Sequence, residues 1–281
     1  MSKPTQQKKV ILITGASSGF GKLTASKLLA LGHTVYAVAR RVDRMAELEK
    51  QGAKLIAMDV TDNEAVVAGV ERLIKEQGRI DVVLANAGYG TYGTVESIPM
   101  EEIQYHYDVN VFGVARTLKA ILPQMRRQKS GRIIITASYV SHVPLGCAGW
   151  YASTKHAVKA ITEALRQETR DLGIDVVMIE PGAVKTGFDQ VAIETLDKVE
   201  HPDDYKRLVK GFKQSMIDSY AKCPGPESTA EAMVKAVTAK RPKTRYRTTR
   251  DAKTLPLMKS LMSDRQFDNL FLSQMYKAAA K

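Results

Sequence analysis

Short apolar runs alternate with longer stretches of helical period along the chain as far as Ile179. Val10 to Thr14, Thr34 to Val38, Lys54 to Met58, Asp81 to Ala85, Arg132 to Thr136 and Ile174 to Ile179 have strand length and carry apolar residues on both faces. Between them, Lys22 to Ala30, Met45 to Lys50, Glu64 to Glu76, Glu101 to Arg127 and Tyr151 to Asp171 read as helices. Strands with no polar face need cover on both sides, and helices between successive parallel strands provide it. The pattern predicts an α/β fold: a Rossmann-type doubly wound parallel sheet with helices on both faces. From Gly187 to Pro226 the rhythm lapses. There Phe188, Tyr205, Leu208, Val209, Phe212, Met216 and Tyr220 recur at steps of three or four and predict an amphipathic helix. No repeat of solenoid length and no Gly/Ser or Pro-rich linker interrupts the chain. Residues 1–281 are therefore expected to form a single domain, with an insert at about 187–226 and a basic amphipathic segment at about 240–281.

Composition narrows the class. Of 281 residues, 44% are hydrophobic and 26% charged, which excludes disordered and collagen-like chains. Cys147 and Cys223 form no Cys-x-x-Cys pair and are too few for a disulfide framework. No His/Cys/Asp group has metal-ligand spacing, so no metal is expected. The polar, basic start from Met1 to Lys9 lacks the apolar core of a secretory signal. No run approaches the ~18 apolar residues of a membrane span. A cytoplasmic protein is expected. The net charge is +12, of which residues 240–281 contribute +8 and the first nine +3. Such charge can draw in nucleic acid, anionic lipid or phosphorylated ligands, but a solvated basic tail is the plainer expectation, and no nucleic-acid partner is expected.

The chemistry gathers in loops that follow strands. Gly15, Ala16, Ser17, Ser18, Gly19, Phe20 and Gly21 lie between the first strand and the first helix. Glycines there let the backbone approach a pyrophosphate, whose charge the helix N-terminus stabilises. The spacing Gly-x-x-x-Gly-x-Gly departs from the commoner Gly-x-Gly-x-x-Gly. Asn86-Ala87-Gly88 follows the fourth strand, Asn110 lies in the next helix, Ser138 follows the fifth strand, and Tyr151 and Lys155 open the helix after it. Four residues apart on one helix, Tyr151 and Lys155 project from the same face. A nearby ammonium would favour the phenolate and bring Tyr151 closer to neutral acidity. Ser138 could be an ordinary loop serine, with Ser141 a competitor, and Asn110 could be a satisfied buried group at a helix kink.

Taken in order, these motifs make the chain similar to the short-chain dehydrogenase/reductase family over Lys9 to about Phe188, in particular to its single-domain branch of hydroxysteroid and retinol dehydrogenase-type oxidoreductases. The resemblance implies that Tyr151 is the general acid or base and that Lys155 also binds the nicotinamide ribose. It further implies that Ser138 holds the substrate oxygen and that Asn110 anchors a proton-relay water. By the same resemblance, Gly15, Ser17, Ser18, Gly19, Phe20, Gly21, Asn86, Ala87 and Gly88 border the coenzyme. Pro181, Gly182, Val184 and Thr186 cradle the nicotinamide, and Asp59-Val60 meets the adenine, although Asp59 could equally be a helix N-cap. Dimers or tetramers are common in the family.

Where an NAD enzyme carries an acidic residue at the end of the second strand, this chain has Ala39 followed by Arg40 and Arg41. Guanidinium groups there suit a 2′-phosphate, so NADP(H) is the expected coenzyme. The expected reaction is NADPH-dependent reduction of a ketone or aldehyde, or the reverse alcohol oxidation. An insert floor of Tyr205, Phe212, Met216 and Tyr220 would favour a lipid-, steroid- or retinoid-like substrate, although such a stripe also serves as plain core. His142 and Cys147 are expected near the cleft as packed side chains. The segment from Leu255 to Met275, with Leu257, Met258, Leu261, Met262, Leu270 and Phe271, reads as a lid, a subunit contact or a surface for peripheral membrane contact. The alternatives are a non-catalytic NADP-sensing protein that binds a partner through its basic end and a sugar epimerase or dehydratase. Intact Asn110, Ser138, Tyr151 and Lys155 oppose the first, and the length opposes the second.

Overall fold

A computed structural model describes residues 8–281, so most of the basic start lies outside the described residues. Among the described residues, seven strands form one parallel sheet: β1 (Val10–Thr14), β2 (Thr34–Ala39), β3 (Lys54–Ala57), β4 (Val82–Ala85), β5 (Gly131–Thr136), β6 (Ile174–Glu180) and β7 (Arg245–Arg247). Their order is β3-β2-β1-β4-β5-β6-β7. The chain winds outward from β1 in one direction and from β4 in the other, which leaves a crevice at their carboxyl ends. Eleven helices of the described residues cover the sheet or extend from it: α1 (Gly19–Ala30), α2 (Ala46–Lys50), α3 (Asn63–Gln77), α4 (Met100–Tyr107), α5 (Gly113–Gln128), α6 (Gly149–Glu168), α7 (Phe188–Lys198), α8 (Lys206–Lys222), α9 (Glu227–Thr238), α10 (Arg250–Leu261) and α11 (Asp264–Ala279).

The strand alternation splits the core in two. Leu12, Val38, Val83 and Ile133 face Val66, Val70, Ile121 and Val158 of α3, α5 and α6. Ile11, Ile13, Ala37 and Leu84 face Leu28 of α1 and Met233 and Val237 of α9. Every residue of β1 and β4 is buried, as expected of central strands covered on both sides.

Four features differ from the sequence pattern. The helix expected over Glu101 to Arg127 is interrupted by a π-helical turn, Asp108–Phe112, centred on Asn110. The insert holds two helices, α7 and α8. Tyr205 precedes α8, and its hydroxyl donates to Glu96 (2.9 Å) instead of flooring the cleft. The apolar stripe from Leu255 to Met275 is likewise two helices, parted at Ser263. That residue caps α11, with Gln266 reaching back to the Ser263 backbone. Finally, part of the expected basic tail is the edge strand β7, whose Arg-Tyr-Arg sequence gives no apolar strand signal. Its arginines serve a packing role, because Arg247 reaches Glu180 at 3.1 Å and Arg245 reaches it at 3.6 Å. Burial alone would push the fully buried Glu180 up, but His142, Arg245 and Arg247 outweigh it and hold the carboxyl below its usual range.

Helices α8 and α11 cross at Gly211. A Cβ there would run into the carbonyl oxygen of Met275, so only glycine lets the two backbones come this close. This crossing fastens the end of the chain to the insert.

Candidate active site

A cavity of about 820 Å³ opens along the carboxyl ends of the strands. At one end it is bordered by the turn between β1 and α1. Gly15 (φ 68°) and Gly19 (φ 51°) occupy the left-handed region there, which costs glycine least. Ser17, Ser18 and Phe20 join them in the wall. Gly21 does not reach the cavity. A Cβ on it would run into the Gly15 carbonyl and come within 2.8 Å of Asn86 Nδ2, so Gly21 packs the turn instead. The Ser18 side chain makes no capping hydrogen bond to the first turn of α1, which leaves the helix N-terminus facing this end of the cavity.

Arg40, Arg41 and Arg44 line the wall at the end of β2, together with Met58, Asp59 and Val60. Arg44 lies four positions beyond Arg40, in the short turn Asp43–Met45, and no sequence motif marks it. Arg40 Nη1 donates to Tyr105 Oη (2.6 Å) and lies 3.8 Å from Asp59 Oδ2. Asp59 is not a helix N-cap: its carboxylate accepts from Thr61 N (3.0 Å), and Asp62 caps α3 by accepting from Glu64 N and Ala65 N. Between the two ends of the cavity run Asn86, Ala87 and Gly88. Asn86 ties three strand ends together, donating to the carbonyls of Thr14 (3.2 Å) and Gly15 (3.4 Å) and accepting from Thr136 Oγ1 (3.2 Å).

The fold brings Ser138, Tyr151 and Lys155 together at the middle of the cavity, where all three are buried. Ser138 faces the cavity, where its hydroxyl donates to the Pro181 carbonyl (3.4 Å) and accepts from Val140 N (3.4 Å). Ser141 is turned away and fully buried, and its hydroxyl accepts from Ser138 N (3.3 Å). Burial pushes the Tyr151 phenol up to about 12, only partly offset by Ser138, and pushes the Lys155 ammonium down to about 8. The expected lowering of Tyr151 by Lys155 is thus not found. Lys155 Nζ lies 6.0 Å from the Tyr151 ring centre and donates to the Thr136 carbonyl (3.0 Å). Loss of solvation by both groups prevails there.

Asn110 is set behind the cavity wall. Its amide nitrogen donates to the carbonyl of Tyr89 (2.8 Å) and to Thr154 Oγ1 (3.2 Å), and its oxygen accepts from Tyr89 N (3.0 Å). One turn earlier, His106 bonds to the same carbonyl through Nε2 (3.0 Å) and stacks on Tyr151 with ring centres 6.0 Å apart. Burial pushes its imidazole down to about 4, so it is neutral at physiological pH. Sequence reading missed His106; its only signal was the four-residue step to Asn110.

Pro181, Gly182, Val184 and Thr186 border the cavity after β6. The far end is apolar: Tyr92, Leu145, Phe188, Phe212, Met216, Tyr220, Phe271 and Met275 line it. Phe212, Met216 and Tyr220 are where the insert pattern put them, whereas Phe271 and Met275 of α11 supply a wall that periodicity could not place. Cys147 is buried against this cluster, and His142 pairs with Glu180 away from the cavity wall (2.7 Å). Leu257 (58% exposed) and Leu261 (78% exposed) of α10 point to solvent. Among the described residues, no helix is long and apolar enough to cross a membrane, and no group of three His, Cys, Asp or Glu residues could hold a metal ion.

Residues 9–197 match the sequence profile described as short chain dehydrogenase. The chain is 38% identical over 208 residues to a 3-ketodihydrosphingosine reductase of Bacteroides thetaiotaomicron, which covers 73% of this chain and 76% of the relative. It is 30% identical over 279 residues to an NADPH-dependent 3-dehydrocapnine reductase of Ornithobacterium rhinotracheale, covering 95% and 97%. Its fold is similar to that of a crystallised short-chain dehydrogenase from Streptomyces avermitilis, with a TM-score of 0.81, 30% identity and coverage of 95% and 97%.

Proposed function

This chain belongs to the short-chain dehydrogenase/reductase family, and we propose that it is an NADPH-dependent reductase of ketones or aldehydes borne on hydrophobic, lipid-like molecules. The observation that carries the reading is the buried Ser138, Tyr151 and Lys155 cluster. It lies between a glycine turn edged by three arginines and an apolar chamber. The family's oxidoreductase chemistry on carbonyl and alcohol groups is its premise.

The residues present fit NADP(H). The left-handed glycines at 15 and 19 and the uncapped N-terminus of α1 suit a pyrophosphate. Arg40, Arg41 and Arg44 suit a 2′-phosphate, with Asp59 as a nearby countercharge and no acidic residue at Ala39. The name of the Ornithobacterium relative states NADPH dependence, which supports the same choice. When bound, NADPH supplies the hydride. Ser138 donates a hydrogen bond to the carbonyl oxygen of the substrate and orients it toward Tyr151. Held near 12 by burial, the Tyr151 phenol keeps its proton at neutral pH, which suits a donor to the developing alkoxide. Lys155, charged below about pH 8, binds the ribose and hands on a proton, with Asn110 fixing the wall beside it.

The apolar chamber supports the substrate class, because Phe212, Met216, Phe271 and Met275 gain by burying apolar ligand surface. The names of the two relatives, a 3-ketodihydrosphingosine reductase and a 3-dehydrocapnine reductase, support the same reading. We place the whole chain in one domain and expect it to work as a dimer or tetramer. The test follows oxidation of NADPH and NADH side by side against long-chain ketones, aldehydes and small polar carbonyls. Turnover of apolar carbonyls with NADPH is the expected result. Tight NADPH binding with no turnover in either direction would favour a non-catalytic sensor.

A further inference from the structure

The segment after β6 that includes Gly182 and Ala183 takes its hydrogen bonds from far along the chain. On one side, the Pro181 carbonyl accepts from Tyr139 N (3.0 Å) and from Ser138 Oγ (3.4 Å), which links it to the catalytic cluster. On the other side, Gly182 N donates to Thr249 Oγ1 (3.0 Å) and Ala183 N donates to Asp251 Oδ2 (2.8 Å). The Asp251 carboxylate packs so closely under the loop that a Cβ on Gly182 would run into it. Thr249 is buried and caps α10 by accepting from Ala252 N (3.4 Å). The strand leading into this cap is fixed too, since Arg247 holds the buried Glu180 and Thr248 N donates to the Glu180 carbonyl (3.3 Å). Every link in the chain from β7 to the loop is thus a directional hydrogen bond or ion pair.

We propose that Asp251, with Thr249, is a positioning residue that sets the Pro181–Ala183 backbone at the height needed by the nicotinamide end of the coenzyme. This rests on the reading that the loop cradles the nicotinamide. The basic terminal segment thereby has a role that its charge does not suggest: its one acidic residue at the start of α10 holds the floor of the reaction site. A carboxylate suits the task because it accepts from a backbone N–H strongly while leaving the loop carbonyls free for Ser138 and Tyr139. Misplacement by a fraction of an ångström would act on hydride transfer more than on coenzyme capture, because the arginines at the other end of the cleft remain in place.

The test compares Asp251→Ala, Asp251→Asn and Thr249→Val with the wild type. In the coenzyme-free protein, hydrogen exchange at the Gly182 and Ala183 amides should quicken at least tenfold in Asp251→Ala, with the melting temperature of the sheet little changed. This readout stands whether or not the enzyme reduces carbonyls. With NADPH and a reducible ketone, Asp251→Ala should lower kcat about tenfold or more and raise the primary isotope effect measured with 4-deuterated NADPH. The dissociation constant for NADPH should stay within about threefold. Asp251→Asn, which retains an acceptor, should recover most of kcat. Unchanged amide exchange in Asp251→Ala, or unchanged kcat and isotope effect in an active enzyme, would overturn the proposal. Should Asp251→Ala not fold, Thr249→Val carries the same tests, with exchange at Gly182 as its readout. A wild type that binds NADPH but reduces no carbonyl would sink the proposed activity instead, leaving the exchange result to decide the positioning role.

Discussion

At the glycine-turn end of the cleft, the wall is built from turns between consecutive elements. The loop from Gly15 to Gly19 joins β1 to α1, and Arg40 and Arg41 follow β2 directly. At the opposite end, the wall is assembled from α8 and α11, which meet only because Gly211 lets their backbones touch. The first end presents backbone N–H groups and guanidinium charge, the second aromatic and methionine side chains. The contrast teaches that the two ends answer to different forces. Turns fixed by a buried sheet leave little freedom, so the polar end is tied to the fold itself. An apolar wall of packed side chains can change shape by substitution without disturbing the strands, and methionine makes it adaptable. Tyr151 and Lys155 stand between the two ends, on α6.

The largest effect should come from that middle ground. Tyr151→Phe is expected to cut turnover about a thousandfold, within the range typical of lost general acid catalysis, while NADPH binding stays nearly constant in a titration. A Tyr151→Phe variant with wild-type kcat would dissolve the division of labour drawn above. Next comes the polar end. Replacing Arg40 and Arg41 with Ala should raise KM for NADPH about 10 to 100-fold and leave NADH nearly untouched, the scale of one or two charge-assisted hydrogen bonds. Equal losses with both coenzymes would mean that this end does not read a 2′-phosphate. At the apolar end, Phe271→Ala with Met275→Ala should raise KM for a long-chain ketone about tenfold through lost apolar burial. A small ketone should be unaffected, and coenzyme selectivity should not move. Matching losses for small and long substrates would show that the two ends are coupled after all.

The smallest expected effect is on stability. Burial lowers Lys155 to about 8 from 10.5, so the unfolded chain binds its proton more tightly. The buried lysine therefore costs the folded protein most below about pH 8, and the cost fades as pH rises toward 10.5. Lys155→Met should accordingly be more stable than the wild type at pH 7, by on the order of 1–3 kcal/mol, with the gap closing toward pH 10. Urea denaturation midpoints at the two pH values would check this. A gap independent of pH would assign the effect to packing instead.

Much of the fold was legible in the chain because buried parallel strands leave runs such as Val10 to Thr14 with no polar face. The glycine turn was legible too, since it is local. What escaped lacked a local signature. Strand β7 consists of Arg245, Tyr246 and Arg247, a strand only by virtue of its pairing with β6 and of the buried Glu180 that its arginines satisfy. Asp59 has a capping residue's sequence context, yet Asp62, three positions on, takes the cap. The insert periodicity correctly put Phe212, Met216 and Tyr220 on the cleft but also included Tyr205, because a stripe cannot show where its helix begins.

Sequence alone was enough for the doubly wound parallel sheet and for Tyr151 and Lys155 on one face of a helix, while Ser138 joined them through the family resemblance. The sheet follows from periodicity and the Tyr151–Lys155 pair from a step of one helical turn, both of which geometry converts directly into position. Only the tertiary structure decided which residues close the site from a distance: Phe271 and Met275 against α8, Asp251 under Gly182, and His106 against Tyr151. It also decided the protonation of the central pair, because desolvation depends on everything packed around a group and outweighed the neighbouring charge that spacing alone brings to mind.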